Sequence, residues 1–454
     1  VPIPGSFAGA LAAASWRRLA FLLGRTDARR RAFPAALPAA ERARLDALWT
    51  ASTSMSMLSP HLADAFRMLH LRRVLKVGDA STVCRALAYE ASMEAHLGGA
   101  LLDRSVEALL EQVSALVVRT RDPYDEAWRE LTLANVAFTR GEWRRTAEAC
   151  RRADTLFRER CPGTAWERVT VAIFHHFALA WLGELRELLP RLSELAGDAR
   201  RRGDVHALCE AHVGEPMLAW LAADRGDEAQ ASAAAALGRQ ASRSRRWPEH
   251  GYRRQEYAAM IASGYAALYR GDPWAAWAAV LDHWPRLEAS FLLPLRGTGL
   301  ELRWTRARAA LAAAATRPRG RRSGWTERAL LDDARAQIRR IERDPLAAGA
   351  PIGQLLRAGI ARVEGRAGEA ARALEAAIAG FDRLEMALHR EAARLALGQL
   401  AGGSAGAAQI RRAEAWMAGQ GVVRPRALAA AVAPGLDLSP EGRTHAAATH
   451  RSAP

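Results

Sequence analysis

Lysine is almost missing from this chain: of 65 basic residues, only Lys76 is a lysine. A phosphate-cradling P-loop needs Gly-Lys followed by Ser or Thr, and Lys76 stands between Leu75 and Val77, so nucleotide hydrolysis by that route is excluded. A protein kinase needs H-R-D and D-F-G besides its strand lysine, and neither string occurs. No H-E-x-x-H zinc motif is present. Cysteine is sparse and scattered. Cys84, Cys150, Cys161 and Cys209 form no C-x-x-C pair and read as reduced thiols of a cytoplasmic protein, not as a disulfide framework. Long apolar runs are missing too. The nearest, residues 169–183, is too short to span a bilayer and holds His175 and His176. The apolar start at residues 3–14 has its arginines, Arg17 and Arg18, after it instead of before it, which is not the order of a secretion signal. Neither a membrane span nor secretion is expected, and the cytoplasm is the expected location. The chain begins with Val1 in mid-pattern, and we expect it to be a piece of a longer polypeptide.

What is present is helix-forming. Half the residues are hydrophobic, alanine and leucine dominate, and valine and isoleucine are thin. An all-α fold follows. At 454 residues the chain exceeds what one core supports, so it contains several domains or a repeat array that lengthens without thickening. The net charge of +16 would ordinarily suggest nucleic acid. Because that charge is nearly all arginine and accompanies an alanine excess, it reads as GC-rich coding, and nucleic acid is not the expected partner.

A short turn recurs along the chain. Glycine, often followed by Asp or Glu, sits between two alanine-rich segments at Gly98, Gly141, Gly183, Gly226, Gly271 and Gly365, spaced 43, 42, 43, 45 and 94 residues apart, the last being two units of 47. A period of 42 to 47 residues holds two helices and two turns. Glycine at a helix C-terminus adopts the left-handed conformation without a Cβ clash, and the acid after it suits the start of the next helix. The strongest such signal is Asp272-Pro273-Trp274, an N-cap followed by proline at the first helical position. In the helix after Gly365, Leu374, Ala377, Ile378, Phe381 and Leu384 make one apolar stripe, with Arg372, Glu375, Asp382 and Arg383 off it. Ala370, Ala371 and Ala373 leave room for close helix approach. The expected fold is therefore a tetratricopeptide-like α-solenoid of stacked antiparallel helix pairs. Its expected divisions are an irregular helical lead-in (1–60), a main array (61–315), an Arg/Gly loop (316–325), C-terminal repeats (326–433) and a disordered tail (434–454).

Chemistry-bearing constellations are few. His206, Cys209 and His212, at i, i+3 and i+6, fan around one helix, a spacing that reads as a buried cysteine between two partly exposed histidines sooner than as a zinc site. The basic run holding Arg243, Arg245, Arg246 and Trp247 is a candidate contact for an acidic partner. No catalytic, cofactor-binding or metal-ligating residue is nominated.

Several stretches resemble the C-terminal region of large bacterial eukaryotic-like serine/threonine protein kinases: ERCPGTAWE (159–167), WLGEL (181–185), RRRGDVHAL (200–208), ALYRGDPWAAW (267–277), LDHWPRLEASFLLPLR (281–296), GFDRLEMALHREAARLALGQLAGG (380–403) and EAWMAGQGVVRPRALAAAVAPG (414–435). The resemblance implies a non-catalytic interaction or regulatory region with a protein or peptide partner, its kinase and ATPase modules lying outside this chain. The alternative is the ligand-sensing helical-repeat region of a transcriptional or ATPase-type regulator, which needs a mostly apolar pocket with a few convergent polar groups.

Overall fold

The alanine, leucine and arginine that dominate the sequence are strong helix formers, and nearly every described segment is helical. The computed structural model describes residues 27–56, 60–243, 254–290, 292–316 and 324–438. Among these described residues there are twenty α-helices and no strand. The fold is all-α, a tetratricopeptide-like solenoid of stacked antiparallel helix pairs. Its contacts divide it into two compact units, a division that falls inside the stretch 61–315.

The first unit takes the described part of Val1–Thr139 together with Arg145–His175. A 3-10 turn, Ala28–Arg30, precedes α1 (Ala39–Met55), α2 (Pro60–Val77), α3 (Ala80–Leu97), α4 (Ala100–Thr120), α5 (Pro123–Thr139), α6 (Trp143–Arg160) and α7 (Ala165–Leu182), the last two shared with the second unit. Helix α1 packs on α2, α3 on α4, and α3 also on α5. Prolines that cannot continue a helix start several of these, and Asp79 caps α3 by accepting from the Thr82 N–H at 2.9 Å. Leu71 and Val74 of α2, Val83 and Leu87 of α3, and Leu109 and Val113 of α4 form one core, each removed from water. Each such side chain contributes roughly 1.5–3 kcal/mol by burial.

The second unit takes Arg140–Arg144, His176–Ser244 and the chain from Gln255 onward. Its helices are α8 (Leu185–Arg202), the short α9 (Val205–Glu210) and α10 (Met217–Ala222), α11 (Gly226–Arg243), α12 (Arg254–Tyr269), α13 (Pro273–Glu288), α14 (Thr298–Ala315), α15 (Glu327–Ile341), α16 (Gly349–Val363), α17 (Ala367–Arg383), α18 (Ala387–Ala401), α19 (Gly403–Gly419) and α20 (Pro425–Val432). The α17 stripe is buried at Leu374, Ala377 and Phe381, with Ile378 and Leu384 partly so, while Arg372, Glu375, Asp382 and Arg383 face water. An open array touches only its neighbours along the chain. This unit adds contacts between distant helices: α20 packs on α10, the Val423 N–H donates to the Ala222 carbonyl at 2.8 Å, and Arg144 reaches both Glu184 and Glu385. Residues 434–438, assigned to the tail by composition, include the buried Leu436 and Leu438.

Five of the six marked glycines have left-handed backbone: Gly98, Gly141, Gly183, Gly271 and Gly365, with φ between 68° and 80°. Gly226 differs. It is the first residue of α11, and the left-handed residue of that turn is Asp224, φ 57°. A side chain at 226 would run into Leu221, so this glycine serves close packing instead of the turn. Asp272 caps α13 through the Ala275 N–H at 3.0 Å, with Pro273 inside the first turn. The acid after Gly183 does not cap: Glu184 makes no side-chain bond to its helix and pairs with Arg144.

Candidate functional site

Two side-chain clusters stand out, one in each unit. In the first unit, Trp49 of α1, Tyr89 of α3, Trp128 of α5 and Trp166 of α7 touch in sequence. Trp49 lies 5.7 Å from Tyr89 and 4.9 Å from Trp128, edge on, and Trp128 stacks on Trp166 at 6.3 Å. Each comes from an alternate helix, so the layer α1, α3, α5, α7 carries one large ring per step. Tyr89 and Trp128 are buried, whereas Trp49 and Trp166 keep part of their surface in water. About two to three turns further along the same helices, His96, Phe138 and Phe174 form a second half-buried group, with Phe138 5.3 Å from Phe174. Trp49 also lies 5.4 Å from His70, and Arg67 of α2 makes a buried ion pair with Glu90 of α3. Burial, and then the Arg85 charge, push the His70 pKa down to about 4, so it is neutral at physiological pH.

An open cleft of about 320 Å³ lies at the α6–α7 turn of the same unit, lined by Asp122, Tyr124, Arg160, Cys161, Thr164 and Glu167. The Tyr124 hydroxyl donates to Glu167 at 2.6 Å. Burial raises the Cys161 thiol pKa, the opposite of what a nucleophilic cysteine requires.

In the second unit an aromatic column encloses a buried cation. Trp143 stacks on Trp181 at 4.9 Å, Trp181 on His389 at 5.7 Å, and Trp304 of α14 closes against both Trp181 and His389 at 5.4 and 5.1 Å. Arg308, one turn on from Trp304, is wholly buried, its guanidinium carbon 3.5 Å from the centre of the Tyr265 ring and 4.9 Å from that of Trp304. Cation–π attraction holds the guanidinium over the Tyr265 ring, with the Trp304 ring standing nearly perpendicular to it. Burial, followed by the Arg308 charge, lowers the His389 pKa to about 3, leaving a neutral imidazole.

The residues singled out from sequence lie elsewhere. Arg243 ends α11, and Arg245, Arg246 and Trp247 lie outside the described residues, as do residues 317–323 of the Arg/Gly loop. His206, Cys209 and His212 do not share one helix, because α9 stops at Glu210. His212 is buried instead of partly exposed: its Nδ1 lies 2.8 Å from the Leu208 carbonyl and its ring stacks on Trp220 at 5.2 Å. Among the described residues no group of His, Cys, Asp and Glu has the arrangement of a metal site. The string Gly402-Gly403-Ser404-Ala405-Gly406 has the spacing of a hydrolase elbow, but it opens α19 with an exposed serine and no strand before it, so it lacks the strained turn that motif needs. Both aromatic clusters escape a motif search. The first leaves one trace in the sequence, a large ring every 38 to 40 residues.

No family model, curated protein or solved structure matches this chain. No described helix is long and apolar enough to cross a membrane.

Proposed function

We propose that the chain is a non-catalytic helical-repeat interaction region of a cytoplasmic signalling protein, and that its first unit receives a peptide or helix across α1, α3, α5 and α7. The observation that carries this reading is the row Trp49, Tyr89, Trp128, Trp166, buried at its middle and partly exposed at both ends. Aromatic rings with one dry and one wet face are the anchors that interfaces use most, since they bring large area at little cost in side-chain entropy. Repeat arrays read extended or helical segments with one helix per step, which is the spacing of these rings. The likeness of several stretches to kinase C-terminal regions supports a place in a phosphorylation pathway. A kinase domain encoded in frame upstream would agree with it, and an unrelated upstream product would remove that element of the proposal.

The test is retention of a partner from the native cell by the wild-type chain and by a Trp49→Ala, Trp166→Ala variant of equal helicity. The variant is expected to lose the partner, and equal retention would exclude the row as the receiving surface. Phosphoryl transfer from ATP above a heat-killed control would overturn the non-catalytic reading.

A further inference from the structure

The second unit buries more polar chemistry than its fold needs. Arg308 is 0 % exposed, and none of its three guanidinium nitrogens has a well-formed hydrogen bond to the protein, the nearby Tyr265 hydroxyl being poorly placed to accept one. Around it, the Tyr265 hydroxyl, the Trp304 indole N–H and both ring nitrogens of His389 are buried without a well-formed hydrogen bond to the protein. Buried polar groups in native proteins are almost always satisfied, and a fully buried charge more strictly still. These groups reach one place from three separate helices, α12, α14 and α18, so their convergence is a property of the assembled unit and not of one segment.

We infer that Arg308, Tyr265, Trp304 and His389 form a binding site for a small monocarboxylate, distinct from the aromatic row of the first unit. The class follows from the geometry. With one face of the guanidinium covered by Tyr265 and Trp304 close by, its edge is the part free to bond, and a planar carboxylate meets that edge with two parallel hydrogen bonds. One cation balances one negative charge, whereas a phosphate dianion would leave a buried charge uncompensated. The Tyr265 hydroxyl and the Trp304 N–H supply further donors. Neutral His389 adds one more without adding charge. Burial first, and the charge of the buried Glu215 with it, raise the Tyr265 pKa, so Glu215 is the protein carboxylate to test as an internal counter-ion for Arg308.

Ligand-dependent melting of the whole chain tests this, with sodium acetate as the probe and sodium chloride and sodium phosphate at matched ionic strength as controls. Acetate is expected to raise Tm in a dose-dependent manner, as any ligand of the folded state does, while chloride and phosphate do not. Arg308→Met should abolish the acetate response and leave the Tm without acetate unchanged or higher, because it removes a buried cation that has no well-formed hydrogen bond to the protein. Tyr265→Phe, which deletes only the hydroxyl, should weaken the response while the protein stays folded. A Tm indifferent to acetate, an equal response to all three salts, or an acetate response retained by Arg308→Met would each overturn the inference. So would a large drop in Tm in Arg308→Met matched by one in Glu215→Gln, since that pattern marks an internal ion pair.

Discussion

Replacing Gly183 by alanine tests whether the second unit joins helices distant in sequence. Gly183 has φ +80°, and a Cβ there would stand 2.6 Å from the Leu388 backbone nitrogen, 3.0 Å from the Leu388 Cβ and 3.1 Å from the Trp416 ring. Two costs follow. The left-handed backbone penalises any L-residue by roughly 1–2 kcal/mol, and forcing a methyl into packed backbone adds typically about 1–3 kcal/mol. Gly365 is the matched control: its φ is +78°, yet nothing lies within 4 Å of the added Cβ. Gly365→Ala therefore bears only the backbone cost, and the difference between the variants isolates the contact of the α7–α8 turn with α18 and α19. That difference is about 2 kcal/mol, which for a unit of this size is roughly 4–8 °C in Tm. Thermal unfolding followed by circular dichroism reads it directly. Equal losses in the two variants would refute the contact, and with it the joining of α7 and α8 to α18 and α19.

Other consequences can be checked on the same preparation. Asp272→Ala removes the cap on the Ala275 N–H and should cost about 1 kcal/mol in denaturant unfolding. His389 has a pKa lowered to about 3, so the unfolded chain binds a proton near pH 6.5 that the folded one refuses. Stability should then fall as pH drops from about 6.5 toward 3, and His389→Phe should flatten that slope. Asp125 shows the opposite sign: burial raises its carboxyl pKa to about 6, against the bonds from Ser81 and the Arg85 charge. Its proton is held by the folded state, so stability contributed by the neutral form is present at low pH and lost as pH rises from about 4 through 6. Asp125→Asn should remove that loss, seen as a smaller difference between melts at pH 4 and pH 7.

The scaffold was legible because its causes are local. Glycine at 98, 141, 183, 271 and 365 answers to the left-handed turn each must make, and Asp272-Pro273 to the first turn of one helix. Gly226 misled because its cause is not local: the turn is made by Asp224, and the glycine answers to Leu221 across the turn. The same limit hid both clusters. Arg308 reads as one more arginine of a basic chain, and only the convergence of Tyr265 from α12 and His389 from α18 shows it to be buried among rings. Trp49, Tyr89, Trp128 and Trp166 were visible as a period, but that a row forms, and that its ends stay wet, depends on how α1, α3, α5 and α7 pack.

Hydroxyl-radical footprinting of the chain with its captured partner bears most directly on the proposed function, because oxidation of half-exposed tryptophan and methionine side chains reads coverage ring by ring. Protection is expected at Trp49 and Trp166, with the partly exposed Trp274, Trp325 and Trp416 of the second unit unchanged. Protection confined to the second unit, with Trp49 and Trp166 as reactive as in the free chain, would contradict it.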